Sequence, residues 1–207
     1  MIFFDSFAPL AFAGLLAAPA AALPGTAPSA AAATTATAAP TPAAAPTRDP
    51  LAYDDPGMHF RPPDGWTRVA LAEQSANNDG KRPPAAVYVL HPGRAEQRTI
   101  VVDIQSYDGT LDGFERSRES ELHSEADGTF VDRKTKTALD NGMPAYFVQV
   151  SQPGGAAGHQ LRRYDYLVYD LQRSIDVAYV GRYGDFDEKD AKAALASLSV
   201  VVFPRRR

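Results

Sequence analysis

The chain has 207 residues, no cysteine and a formal net charge of −4 at pH 7. That length holds one ordinary domain with or without a tail, and the missing thiols exclude disulfide staples, thiolate nucleophiles and cysteine-held zinc or iron–sulfur centres. Acidic and basic residues are interspersed, and the one basic run, Arg205-Arg206-Arg207, reads as a solvated tail rather than a nucleic-acid-binding stripe.

Residues 1–22 are almost wholly apolar and end in small residues, with Ala18-Pro19-Ala20 and Ala20-Ala21-Ala22 both fitting a small-x-small cleavage site. This predicts a secretory signal peptide and an exported protein, periplasmic or extracellular. Asp5 is the only charge there, where a basic residue is usual, which leaves open a true start further upstream. The competing reading is an uncleaved anchor, although the stretch is proline-interrupted and short for the roughly 20 residues a span needs. Residues 23–50 are Ala, Pro and Thr with little else, a composition that cannot offset the entropy of ordering, so a disordered tether is expected. The folded domain is then 51–207.

Within it, strands are predicted over 58–61, 67–71, 86–90 and 98–107. The last alternates most cleanly, with Ile100, Val102 and Ile104 on one face and Val101, Asp103 and Gln105 on the other. A loop is expected over 73–84. A helix follows over 111–126, with Asp112 and Glu115 at capping-box spacing. Leu111, Phe114 and Leu122 share its inner face; Glu115, Arg116, Glu119 and Glu125 are expected outside it. Strand 130–139 leads to Asp140-Asn141-Gly142, a turn signal that accepts the positive φ of a tight hairpin. Then come three antiparallel strands, 143–152, 160–171 and 174–182, the stretch around which the domain is organised. Asp185 and Glu188 predict the cap of a last helix whose stripe is Ala191, Ala194, Leu195 and Leu198. An edge strand over 200–203 closes the domain.

Brief links join antiparallel neighbours, and the two helices interrupt runs of strands instead of alternating with them. The fold class expected is therefore α+β. The middle strands carry large side chains on both faces, Tyr164, Tyr166 and Val168 against Leu167, Tyr169 and Leu171. Such a sheet must be covered twice, which predicts an α/β/α sandwich on a central antiparallel sheet of about six to eight strands.

Three motifs carry a resemblance. Phe60-Arg61-Pro62-Pro63-Asp64-Gly65-Trp66 resembles the strand and Pro-x-Gly-Trp that open PsbP-like domains. Gly142-Met143-Pro144-Ala145 is similar to the start of a central strand there, and Leu195-Ala196-Ser197-Leu198 to the closing helix-to-strand signature. The resemblance spans about 53–203. It implies an α/β/α sandwich and accessory or protein-binding work rather than catalysis, in a superfamily that holds the PsbP subunit of photosystem II, a Ran-binding nuclear transport factor and exported bacterial proteins.

The residues themselves offer little chemistry. His59, His91, His123 and His159 show no i, i+4 pair, and Glu121, His123 and Glu125 sit two apart on a helix, where they cannot converge on one ion. Asp55 and His59 are separated by Pro56-Gly57, so a shared site is not expected. The 154–158 glycine-rich run precedes a strand, not the helix that a phosphate loop opens. No Gly-x-Ser-x-Gly elbow is present. No catalytic residue, metal or cofactor is expected. What remains is a crowd of tyrosines and arginines suited to an interface: Tyr164, Tyr166, Tyr169, Tyr179 and Tyr183 with Arg162, Arg163 and Arg182. Tyrosine is also a good strand residue, so core packing is the plainer reading of these rings. The function expected is a non-enzymatic exported accessory domain binding a protein or cell-envelope component. The alternative is a carrier of a small apolar ligand in a tyrosine-lined pocket between sheet and helix. Nucleic acid is not an expected partner, and a membrane only through an uncleaved N-terminal segment.

Overall fold

The computed structural model describes residues 49–70, 83–125, 128–154 and 159–202. The expectations for 1–22, for 23–48, for most of the 73–84 loop, for the tip of the 154–158 hairpin and for 203–207 lie outside these residues. The elements run β1 (Tyr53–Asp55), β2 (Met58–Phe60), β3 (Thr67–Arg68), β4 (Ala86–Leu90), β5 (Arg98–Ser106), α1 (Leu111–Glu125), β6 (Phe130–Ala138), β7 (Pro144–Pro153), β8 (Gln160–Tyr169), β9 (Arg173–Arg182), α2 (Glu188–Leu195) and β10 (Ser199–Val200). Seven strands form the main sheet in the order β3-β4-β5-β9-β8-β7-β6, and β1, β2 and β10 form a small second one. All neighbours in both sheets are antiparallel.

The strand order follows from the connections. After β5 the chain leaves the sheet through α1 and returns at the far edge as β6. It then walks back by hairpins until β9 pairs with β5 over nine residues, from Arg98↔Gly181 to Ser106↔Arg173. β9 thus lies at the centre of the sheet. Its alternation places Ile175, Val177 and Tyr179 on one face, in a large core with Tyr88, Ile100, Val102, Phe147, Tyr164 and Val168. Ala191, Ala194, Leu195 and Leu198 of the α2 stripe close this core, together with Met58, Phe60 and Val200 of the small sheet. On the other face Phe114 and Leu122 of α1 pack on Val148, Val150 and Leu167. Period-two strands with apolar residues on both faces therefore bury both faces, as the alternation requires. The architecture is the expected α/β/α sandwich. Trp66 is buried, edge-on to Tyr179 at 5.7 Å.

Several local details differ from expectation. Gly113 N–H bonds to Thr110 Oγ1 at 3.0 Å, so Thr110 supplies the N-terminal contact of α1. Asp112 instead accepts from Lys136 and the Tyr146 hydroxyl. Glu115 is not on the wet face: it is only 5% exposed and accepts from Lys134 Nζ at 2.8 Å. The same ammonium reaches Glu119 at 2.7 Å, which turns a repulsive i, i+4 pair into a bridge to β6 and raises the Lys134 pKa. At α2 the capping box is Asp187 with Asp190, two residues later than Asp185 with Glu188. Asp187 has the extended backbone a cap needs, at φ −116°. Leu171 does not extend β8 into the core; it sits in the β8–β9 turn at φ +73° and is 49% exposed. Gly142 takes the positive φ of the expected hairpin, where its N–H bonds to Leu139 O.

Candidate functional site

The strand register brings part of the tyrosine–arginine set to one end of the main sheet. Arg98 on β5 faces Gly181 on β9, and Gly181 faces Arg162 on β8. Arg162 faces Ser151 on β7, which faces Phe130 at the start of β6. These five positions form one row across the sheet on the α2 side. Tyr183 follows β9, with its N–H bonded to Gln160 O at 2.9 Å. The Arg162 guanidinium lies over the Tyr183 ring at 4.4 Å from the centroid, a cation–π contact that fixes both groups. Tyr183 is 50% exposed and Phe130 63% exposed. The Arg162 carboxylate partner is loose: Nη1 stands 3.7 Å from Asp132, which accepts more tightly from Ser151 Oγ at 2.6 Å. Arg182 donates to His159 Nδ1 at 3.2 Å. Gly181 leaves the space that Phe186 occupies; a Cβ there would come within 2.7 Å of the Phe186 ring.

The remaining candidates lie elsewhere. Tyr164 and Tyr179 are buried in the larger core, and Tyr166 is half-buried against it. Tyr164 stacks on Phe147 at 5.6 Å, Tyr166 touches the same ring at 4.9 Å, and Tyr179 meets Phe186 edge-on at 4.7 Å. Burial raises the pKa values of Tyr166 and Tyr179, since the phenolate would be desolvated. Tyr169 is on the opposite face, edge-on to Tyr107 at 5.6 Å. Arg163 is also on that face, beneath α1.

There Arg163 belongs to a buried charged cluster that the sequence reading did not single out. Arg163 Nε donates to Asp165 Oδ1 at 2.6 Å and its Nη2 to Asp176 Oδ2 at 2.9 Å. Arg118 from α1 donates to the same Asp176 oxygen at 2.9 Å and to Glu121 at 3.1 Å. Asp103 on β5 lies directly opposite Asp176 in the register. Asp165 Oδ2 and Asp176 Oδ1 are buried without a protein hydrogen-bond partner. Burial, with the Asp176 charge beside it, pushes the Asp165 carboxyl up to about 7. The signal was present: aspartates at 165 and 176 stand among apolar residues in strands that pack on both faces. The cluster joins α1 to β8 and β9 through ionic hydrogen bonds.

Other polar groupings are small. His59 pairs with Asp54, not Asp55, at 2.6 Å, because the β1–β2 register sets Asp54 opposite His59. Both are half-exposed. Asp55 binds Arg173 instead. Among the described residues no three His, Asp or Glu side chains are placed to hold a metal ion. An open cleft of about 520 Å³ is lined by Pro50, Leu51, Trp66, Thr67, Arg68, Val69 and Ala70, with no tyrosine among them.

No family model matches the chain, and no curated protein matches it. Solved structures with a similar fold exist. One is LpqN of Mycobacterium tuberculosis, described as involved in cell envelope biogenesis: 16% identity over 70% of this chain and 86% of that one, TM-score 0.48. A second is a point mutant of protein Mog1: 14% identity over 66% of this chain and 77% of that one, TM-score 0.39. A third is a protein from Bacteroides thetaiotaomicron VPI-5482: 7% identity over 69% of this chain, TM-score 0.42. This chain spans 44% of the length of that protein. These likenesses decide neither family nor function.

Proposed function

We propose that residues 51–207 form a PsbP-like accessory domain of an exported protein, which binds a protein or cell-envelope component and catalyses no reaction. The surface assigned to that role is the sheet end built by Arg162, Arg182, Tyr183 and Phe130. Tyr164, Tyr166 and Tyr179 back it from within the core, while Tyr169 and Arg163 belong to the other face. The observation that carries this reading is the Arg162–Tyr183 stack. It offers a half-exposed ring ordered by 4.4 Å contact with the largely buried Arg162 guanidinium, in the same cross-strand row as the exposed Phe130. Arginine and aromatic side chains are the residues that anchor protein interfaces, and a pair already ordered loses less entropy on docking. The apolar leader over 1–22 and the Ala/Pro/Thr segment after it support an exported, tethered location.

The test is affinity capture from envelope extracts with the wild-type chain and a Tyr183→Ala, Arg162→Ala, Phe130→Ser variant of matched thermal stability. The expected result is a recurrent protein retained by the wild type and lost by the variant. Empty captures, or retention that the variant leaves unchanged, overturn the assignment.

A further inference from the structure

The two edges of the main sheet are unlike. β3 at one edge is two residues long, and so short a strand leaves little backbone to pair with. β6 at the other edge runs for nine residues, and among the described residues its one neighbour in the sheet is β7. Every residue from Asp132 to Ala138 is exposed. The hairpin that ends β6 fixes which way its backbone groups point. Leu139 N–H donates to Met143 O at 2.9 Å, and the register then sets Thr137 opposite Ala145, Thr135 opposite Phe147 and Arg133 opposite Gln149. In an antiparallel pair every second residue bonds to the neighbouring strand, and the residue between turns its N–H and C=O the other way. Thr137, Thr135 and Arg133 therefore bond to β7. The N–H and C=O groups of Ala138, Lys136 and Lys134 point out of the sheet.

Lysines on an edge ordinarily keep a further strand away. Those of β6 are drawn aside. Lys134 Nζ is held by Glu115 and Glu119 and Lys136 Nζ by Asp112 at 3.0 Å, all three acids on α1. Arg133 donates to Glu188 of α2 at 3.0 Å. The helices thus neutralise these cations over the two faces of the sheet and leave the backbone between them open. A bulge, the other device that blunts an edge, falls between Val131 and Arg133, before this run begins. From Arg133 to Ala138 the strand extends about 20 Å, the length of an ordinary strand.

We propose that the β6 edge takes up an extended segment of the protein bound at the surface built by Arg162, Tyr183 and Phe130, as an added strand hydrogen-bonded to Lys134, Lys136 and Ala138. This rests on that surface being the binding site, and it names the form of the partner. Phe130 links the two: it begins β6 and stands, exposed, in the Arg162 row. Main-chain bonds supply the affinity of such an addition and flanking side chains its selectivity. Thr135 and Thr137, on the α2 side, favour β-branched residues opposite them. A second copy of this chain fits less well. Antiparallel self-pairing that engages all three outward positions sets Lys136 against Lys136, like charges face to face.

The test is a capture from envelope extract by the full chain, with the protein that the wild type retains as the probe. Lys136→Pro and Ala138→Pro each delete an outward N–H and leave the β6–β7 bonds in place. Lys136→Ala and Ala138→Ser change the same side chains and keep that N–H. The expected result is an affinity lower by about tenfold or more in the proline variants and retained in the other two. A second measurement needs no variant to fold: amide exchange followed by NMR in the wild-type chain. The Lys134, Lys136 and Ala138 amides are expected to exchange rapidly in the free chain and to become protected in the complex, while those of Thr135 and Thr137 are protected in both. Folded proline variants that bind as wild type, or outward amides left unprotected in the complex, overturn the edge proposal. If the Tyr183→Ala, Arg162→Ala, Phe130→Ser variant still loses the protein in that case, the surface assignment stands without it. An empty capture overturns both.

Discussion

Asp165 sits fully buried on β8 with one carboxyl oxygen bonded to Arg163 Nε at 2.6 Å and the other without a protein partner. Desolvation disfavours its charged form, and the neighbouring Asp176 adds repulsion, so its pKa rises from 3.8 to about 7 despite the two arginines. The consequence for stability has a definite sign. As pH rises from about 4 to about 7, the unfolded chain releases this proton while the folded chain keeps it, so stability falls across that window and levels off above it. Glu119 and Glu188 act oppositely and lower down: their lysine partners depress their pKa values, so their contribution is lost as pH falls below 4.5. Asp165→Asn is expected to flatten the decline between pH 4 and 7 and to leave the acid limb in place; urea denaturation midpoints at successive pH values measure it. A decline unchanged in the variant would assign it to another group. Lys134 shows how far a single side chain can depart from its sequence setting. Residue spacing made Glu115 and Glu119 a repulsive surface pair, and one ammonium from β6 reversed that.

At the scale of elements, helix capping separates what local pattern can and cannot fix. Both 185/188 and 187/190 carry acids at the capping-box spacing. The choice falls to Asp187, whose carboxylate accepts Asp190 N–H at 2.9 Å, while the Asp185 carbonyl is taken by Arg98 at 2.7 Å. Asp187→Ala is therefore expected to lower stability by about 0.5–2 kcal/mol, and Asp185→Ala to stay within about 0.5 kcal/mol of wild type. Denaturant midpoints for the two variants check this, and equal losses would contradict it. Strands were more legible than caps. β5, β7, β8 and β9 lie within a residue or two of their expected bounds, because alternation over nine or ten residues repeats its message. Leu171 was the exception. It continues the apolar pattern of β8, but Asp170 closes the turn one residue earlier by capturing two backbone N–H groups.

For the whole molecule, the decisive feature is that β7 and β8 serve both cores. Leu167 belongs to the core under α1, while its neighbour Val168 belongs to the core under α2. Removing side-chain volume on one face should therefore destabilise both. Leu167→Ala is expected to cost about 2–4 kcal/mol. The Trp66 fluorescence transition, which reports on the α2 side, should shift together with far-UV circular dichroism in one cooperative unfolding. A Trp66 midpoint that stays at the wild-type value while helix signal is lost would show that the two layers unfold separately.

The sequence alone determined the class of the fold, since alternation with large side chains on both faces demands an antiparallel sheet covered twice. It also determined which apolar residues of α2 point inward, and that one stretch from 141 to 182 organises the rest. Tertiary structure decided what the polar residues do. Arg162 and Arg163 are adjacent in the chain and equally shielded, yet strand parity sends one under the Tyr183 ring on the α2 side and the other into a cluster with Asp165 and Asp176 beneath α1. Apolar periodicity is a local property that a chain carries with it. The partner of a charge is set by which strands and helices meet, and that is known only once the sheet has closed.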